Sequence, residues 1–189
     1  MTNMKIILSA FVILFSSISF GQNDLLNTPE KLWAKVNSES YNKLLDSLNT
    51  YYDETRNDIK LHDSIKKEEL KSLAICDQLI QEFPGSDLVF DAMYRKALIT
   101  YEYLNIDIAQ EFFFKVVNFN TTKTAYKRKA YRFLASIEID KSNYNQAILY
   151  LDESSKYKVT YFCGNEWDTD TRQLRNMYTI CFDGLCEKR

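Results

Sequence analysis

The stretch AMYRKALITYEYLNIDIAQ, residues 92–110, decides how this chain is read. Small residues stand at Ala92, Ala97 and Ala109, with aromatic and aliphatic residues between them. Small side chains at such points let two antiparallel helices approach closely, while large neighbours fill the space to the next helix pair. If the stretch is one unit of a repeat, a fixed period should return the same pattern. Sliding residues 92–117 onto residues 130–155, a shift of 38 positions, lays Ala92 on Ala130, Ala97 on Ala135, Ile99 on Ile137, Asn105 on Asn143 and Ala109 on Ala147. Phe112 and Phe113 fall on Tyr150 and Leu151, and Ile106 falls on Tyr144. The matches are the small residues and their apolar neighbours, as helix pairing requires.

Working outward, the 189 residues are 46% hydrophobic and 26% charged, which predicts one globular domain with an ordinary core. Four Gly and two Pro in so long a chain argue for long helices joined by short polar loops, and no stretch alternates with period two long enough to predict a strand. Thr28-Pro29-Glu30 reads as a helix start, with a capping hydroxyl, Pro in the first turn and an acid beside it. Leu32, Trp33 and Val36 give a first apolar face, and Leu44, Leu45, Leu48, Tyr51 and Tyr52 a second. After a polar break at 56–58, Asp63 is expected to cap a helix with the stripe Leu70, Leu73, Cys76, Ile80 and Phe83. Pro84-Gly85-Ser86 ends it, with Ser86 placed to cap the next. A last helix is expected over DTRQLRNMYTICFDGL, residues 170–185, as a half-unit that either caps the array or leaves an apolar face for another chain.

The opening MTNMKIILSAFVILFSSISFGQ places one positive charge at Lys5 ahead of an apolar stretch from Ile6 to Phe15, then small and polar residues. This is the pattern of a secretory signal peptide over residues 1–21, cut between Gly21 and Gln22. The apolar stretch is short of the roughly 20 residues that span a bilayer. The expectation is a periplasmic or secreted chain with no membrane anchor after cleavage. The net charge of −2 predicts no attraction to nucleic acid.

Export lets the four cysteines pair. A staple between Cys163 and Cys181 or Cys186 is expected, while Cys76, on a helical stripe, reads as a buried free thiol. No metal and no cofactor are expected: His62 is the single histidine, and no Cys-x-x-Cys pair occurs. Nor is there a nucleophile elbow, a phosphate loop or a His-Glu-x-x-His motif, so no catalytic residue is nominated and the chain is read as a non-enzyme.

AMYRKALITYEYLNIDIAQEFF and AYRFLASIEIDKSNYNQAILYL resemble tetratricopeptide repeats, in Ala97, Ala109 and Phe113 of the first and Ala135, Tyr144, Ala147 and Leu151 of the second. FPGSDLVFDAMY resembles the Pro-x-Ser link between units in bacterial envelope proteins of this type, such as outer-membrane assembly and Tol–Pal-associated factors. The resemblance implies an all-α fold, a right-handed solenoid of antiparallel helical hairpins with extra N-terminal helices and a C-terminal capping helix. Its units would lie near 86–121 and 124–158 with a half-unit at 168–186, inside a repeat domain of residues 63–189 that follows an N-terminal helical segment at 22–62. The spacing of 38 exceeds the family's 34 and implies longer helices or loops, and Thr100 and Glu138 stand where an aromatic is usual.

The resemblance also implies a ligand-binding concave face lined by the first helix of each unit. The matching positions are Asp91, Tyr94, Leu98 and Tyr101, then Lys129, Arg132, Ser136 and Ile139. Ordinary packing between units is the alternative for all eight. The basic cluster Lys123, Lys127, Arg128, Lys129 and Arg132 reads either as a contact for an acidic partner or as a solvated face, and the acids Glu166, Asp168 and Asp170 read as a helix N-terminus, with Trp167 as a packing anchor. Phe112, Phe113 and Phe114 cannot all face one way on a helix; Phe113 takes the buried position. The function expected is a scaffold that binds another envelope or secreted protein or peptide. A glycan- or small-ligand-binding accessory protein and a small inhibitor or immunity-type protein are the alternatives.

Overall fold

A computed structural model describes residues 28–37, 42–43, 59–158, 160 and 164–187, and of residues 59 and 164–166 only the backbone. The expected signal peptide, its cleavage site, the stripe from Leu44 to Tyr52, and Cys163 lie outside the described residues. The described chain is all-helical, with seven helices and no strand: α1 (Pro29–Val36), α2 (Ile59–Glu82), α3 (Leu88–Tyr103), α4 (Ile106–Asn118), α5 (Thr124–Asp140), α6 (Tyr144–Ser155) and α7 (Gly164–Glu187). No helix among the described residues is long and apolar enough to cross a membrane.

Helix ends follow the local chemistry of the sequence. Thr28 caps α1, its hydroxyl accepting from Lys31 N at 3.2 Å with Pro29 in the first turn. At the start of α3 the N-cap is Asp87, which makes no side-chain cap bond, while Ser86 one residue earlier accepts through Oγ from Leu88 N at 3.2 Å. Asn105 caps α4 by accepting from Ile108 N at 2.9 Å. Asp63 does not start a helix: α2 begins at Ile59, and Asp63 is exposed within it. The buried seam of α2 also differs from the expected stripe. It runs Ile65, Glu69, Ser72, Cys76 and Leu79, while Leu70, Leu73, Ile80 and Phe83 are half-buried at its margin. Two polar residues hold core positions there because each has a partner. Glu69 Oε1 accepts from Arg95 of α3 at 2.8 Å, and Ser72 donates to the Glu68 carbonyl at 3.1 Å.

Two-residue and three-residue connections make α3–α4 and α5–α6 antiparallel hairpins. Contacts then fix the other directions. Asp91 pairs with Lys123, and Tyr101 meets Phe133 edge-on at 5.2 Å, so α3 and α5 run parallel. Tyr178 donates to Asp152 at 2.6 Å while Gly184 lies against Tyr144, so α7 runs antiparallel to α6 and parallel to α5. Every residue pair matched by the 38-residue shift in the core is buried in both copies: Ala92 and Ala130, Ala97 and Ala135, Ile99 and Ile137, Ala109 and Ala147, Phe113 and Leu151.

The core is continuous along this row of helices. Leu32 and Val36 of α1 pack with Cys76 and Leu79 of α2 and Val89 and Ala92 of α3. Phe90, Phe113, Leu134 and Ile137 join α3, α4 and α5. Ala135, Ala147, Leu151 and Cys181 join α5, α6 and α7. The outward face of α7 is mostly polar, with Asp168, Arg172, Arg175, Asn176, Thr179 and Asp183 all exposed, and Phe182 is an apolar residue exposed at its edge. That polarity suits the end of a helical stack, where the last face meets water.

Candidate groove between α5 and α7

Residues three and four apart on a helix share a face, so Lys129, Arg132, Ser136 and Ile139 stand in a row along α5. The structure sets this row opposite Gln173, Met177 and Ile180 of α7, around a cavity of about 450 Å³. Phe133 contributes to its lining, with Asp170 near the start of α5 and Asp140 at its end. Ile180 is 50% exposed, although its neighbours on the outer side of α7 are polar.

The first-unit positions are placed differently. Tyr94 is buried against Tyr126, with ring centroids 4.8 Å apart. Burial, then the neighbouring Tyr126, pushes the Tyr94 hydroxyl well above the ordinary tyrosine value. Tyr101 packs between Phe113 at 6.1 Å and Phe133 at 5.2 Å, Leu98 is half-buried on the same cluster, and Asp91 is paired with Lys123. These four serve the contact between α3 and α5. Of the eight positions, the four on α5 meet around one cavity.

One member of the acidic cluster, Asp170, meets two of the basic cluster, Arg128 and Arg132, which stand 42 and 38 residues earlier. Asp170 accepts from Arg128 Nη2 at 2.5 Å and from Arg132 Nη1. Arg128 also donates from Nη1 to the Tyr157 carbonyl at 3.0 Å. One carboxylate between two guanidiniums leaves donors over: Arg128 Nε, Arg132 Nε and Arg132 Nη2 are buried without a hydrogen-bond partner among the described residues. Each such orphan costs about 1–3 kcal/mol relative to a satisfied donor. Asp168 is exposed and the Glu166 side chain lies outside the described residues. Trp167, expected as a packing anchor, is 55% exposed instead. The aromatic triplet divides as its geometry requires. Phe113 is fully buried, Phe112 lies under Lys96 and Lys115 at 4.5 and 5.1 Å, and Phe114 touches Tyr150 at 6.0 Å with one face open.

Cys76, Cys181 and Cys186 are free thiols, the first two buried and the third exposed. Cys163, the shared member of the expected staple, lies outside the described residues. No group of three or more potential metal ligands occurs among the described residues, and His62 is exposed on α2.

Sequence reasoning could not find the α7 half of the groove, because no local pattern ties Met177 or Ile180 to α5. Comparison with known proteins finds no matching family model, no matching curated protein and no matching solved structure.

Proposed function

We propose that the chain is an exported, non-enzymatic scaffold, a right-handed solenoid of tetratricopeptide-like hairpins, that binds a segment of another cell-envelope protein in the groove between α5 and α7. The observation that carries this reading is the convergence of Lys129, Arg132, Ser136 and Ile139 on one cavity facing α7. The three parallel helices α3, α5 and α7, the burial of the 38-residue matches and the polar outer face of α7 support the repeat architecture. A cavity of about 450 Å³ also falls in the range of small-ligand sites, which keeps a glycan or other small ligand as the second reading.

The test is affinity capture from the native cell envelope with wild-type protein and with Ile180→Asp, which puts a charge on the groove wall. Leu149→Asp, at a 57% exposed position of α6 away from the groove, is the control. A partner retained by the control and lost with Ile180→Asp supports the groove. A partner held equally by both variants overturns it.

A further inference from the structure

Resting on the reading of the groove as the binding site, we infer that it selects an extended peptide segment of about five residues whose side chains run acidic, apolar, basic along α5. The two ends of the groove differ in charge. Lys129 and Arg132 stand at the start of α5, and Asp140 stands at its end. Lys129 has no ion-pair partner among the described residues. Arg132 has a side chain only 9% exposed, and two of its buried donors lack an acceptor among the described residues. Asp170, the carboxylate that lines that end among the described residues, is already shared by Arg128 and Arg132.

At the other end the sign reverses. Asp140 is exposed, with no ion-pair partner among the described residues, and the adjacent Lys141 is committed to Asp107 at 2.6 Å and Gln110 at 2.8 Å. Between the ends, Met177 and the half-exposed Ile180 supply an apolar wall. From Lys129 to Asp140 the helix rises roughly 16 Å at about 1.5 Å per residue. An extended chain covers that length in about five residues at about 3.3 Å each. An acidic group at the cationic end meets the exposed ammonium of Lys129, and a basic group at the far end meets the exposed Asp140. A peptide charged alike at both ends satisfies one end and is repelled at the other.

The test uses fluorescence anisotropy of the purified protein with three dye-labelled, end-blocked peptides: Asp-Leu-Leu-Ser-Lys, Asp-Leu-Leu-Ser-Asp and Lys-Leu-Leu-Ser-Lys. Wild type is expected to bind the first more tightly than either other, by about fivefold for a partly exposed charge pair. Asp140→Lys should shift the preference to the doubly acidic peptide, and Lys129→Asp to the doubly basic one. Both substitutions fall at exposed positions, so the fold is kept. If all three peptides bind alike and Ile180→Asp abolishes binding, the groove stands and the charge order is overturned. If no peptide binds, or binding ignores Ile180→Asp, the groove reading itself falls and takes the charge order with it.

Discussion

Gly184 of α7 lies so close to the Tyr144 ring of α6 that a Cβ built on it would enter the van der Waals envelope of three ring carbons. Helix propensity alone favours Ala over Gly by about 1 kcal/mol in a helix interior. Here the side chain would have to push the ring away from α7, and overpacking of this kind costs about 1–3 kcal/mol. The contact is expected to win. Gly184→Ala should lower the thermal midpoint, and Gly184→Ala combined with Tyr144→Ala should show no further steric penalty. A midpoint raised by Gly184→Ala alone would mean the ring moves freely and the approach of α7 to α6 is loose.

Asp170 is the polar tie between α7 and α5. Removing its charge strands two guanidiniums that are mostly buried, with side-chain exposures of 15% for Arg128 and 9% for Arg132. Breaking a buried pair from one side costs about 3–5 kcal/mol, and the 21% exposure of Asp170 places this case at the lower end. Asp170→Asn should therefore destabilise by roughly 3 kcal/mol in urea titration. Amide exchange should show α7 losing protection first, since its main tertiary contacts among the described residues are with α6 and, more thinly, α5. Adding Arg132→Leu should recover part of the loss, because a missing donor needs no partner. Unchanged exchange in α7 would show that apolar packing around Cys181 suffices to hold it.

The helices were legible because helical periodicity and capping are local. Thr28, Ser86 and Asn105 act within three residues of where they stand, and the alanines of the 38-residue pattern are buried wherever they fall. The tie at Asp170 was not legible, since its partners lie 42 and 38 positions back. Glu138 shows the same limit. Standing where an aromatic was expected, it is buried because Gln110, 28 residues away, donates to it at 2.6 Å and Asn143 donates at 2.8 Å. The seam of α2 was misread because Glu69 and Ser72 look like surface residues until their partners are known. Of the candidate site, the α5 row followed from the repeat pattern. Its separation from Tyr94 and Tyr101 did not, because it depends on Tyr126 and Phe133 filling the space between α3 and α5.

The turn between α5 and α6 contains a left-handed residue that is not glycine. Ser142 has φ 58°, with Ser142 N donating to Ile139 O and Asn143 N to Glu138 O, both at 2.8 Å. This pair of bonds is the Schellman arrangement, in which the left-handed position favours Gly. The strain of a Cβ there is about 1 kcal/mol or more, and the greater freedom of Gly in the unfolded chain offsets part of it. Ser142→Gly is expected to raise stability by about 0.5 kcal/mol, and Ser142→Val to lower it by more than that. A loss of stability with Gly, measured by urea titration, would show that the serine side chain contributes more than its backbone strain costs.

Cys76 makes the fold sensitive to alkali in a predictable direction. Burial is the largest influence on its thiol, which is pushed up from an ordinary value of 9.0 to about 12. The unfolded chain loses this proton near 9.0 while the folded chain keeps it, so between those values the unfolded state binds fewer protons and stability falls as pH rises. Below that window the group adds no pH dependence. Tyr178, raised to about 12 by burial and by its hydrogen bond to Asp152, adds to the loss from 10.0 upward. Urea midpoints measured through the window should therefore fall continuously, and Cys76→Ala should lessen the slope between 9.0 and 10.0, with the remainder coming from Cys181, which burial also raises. The same burial keeps the thiolate from reacting. Iodoacetamide followed by peptide mapping should label the exposed Cys186 in the native protein, and Cys76 and Cys181 only in denaturant. Native labelling of Cys76, or a slope unchanged in the variant, would show that α2 opens to solvent between α1 and α3.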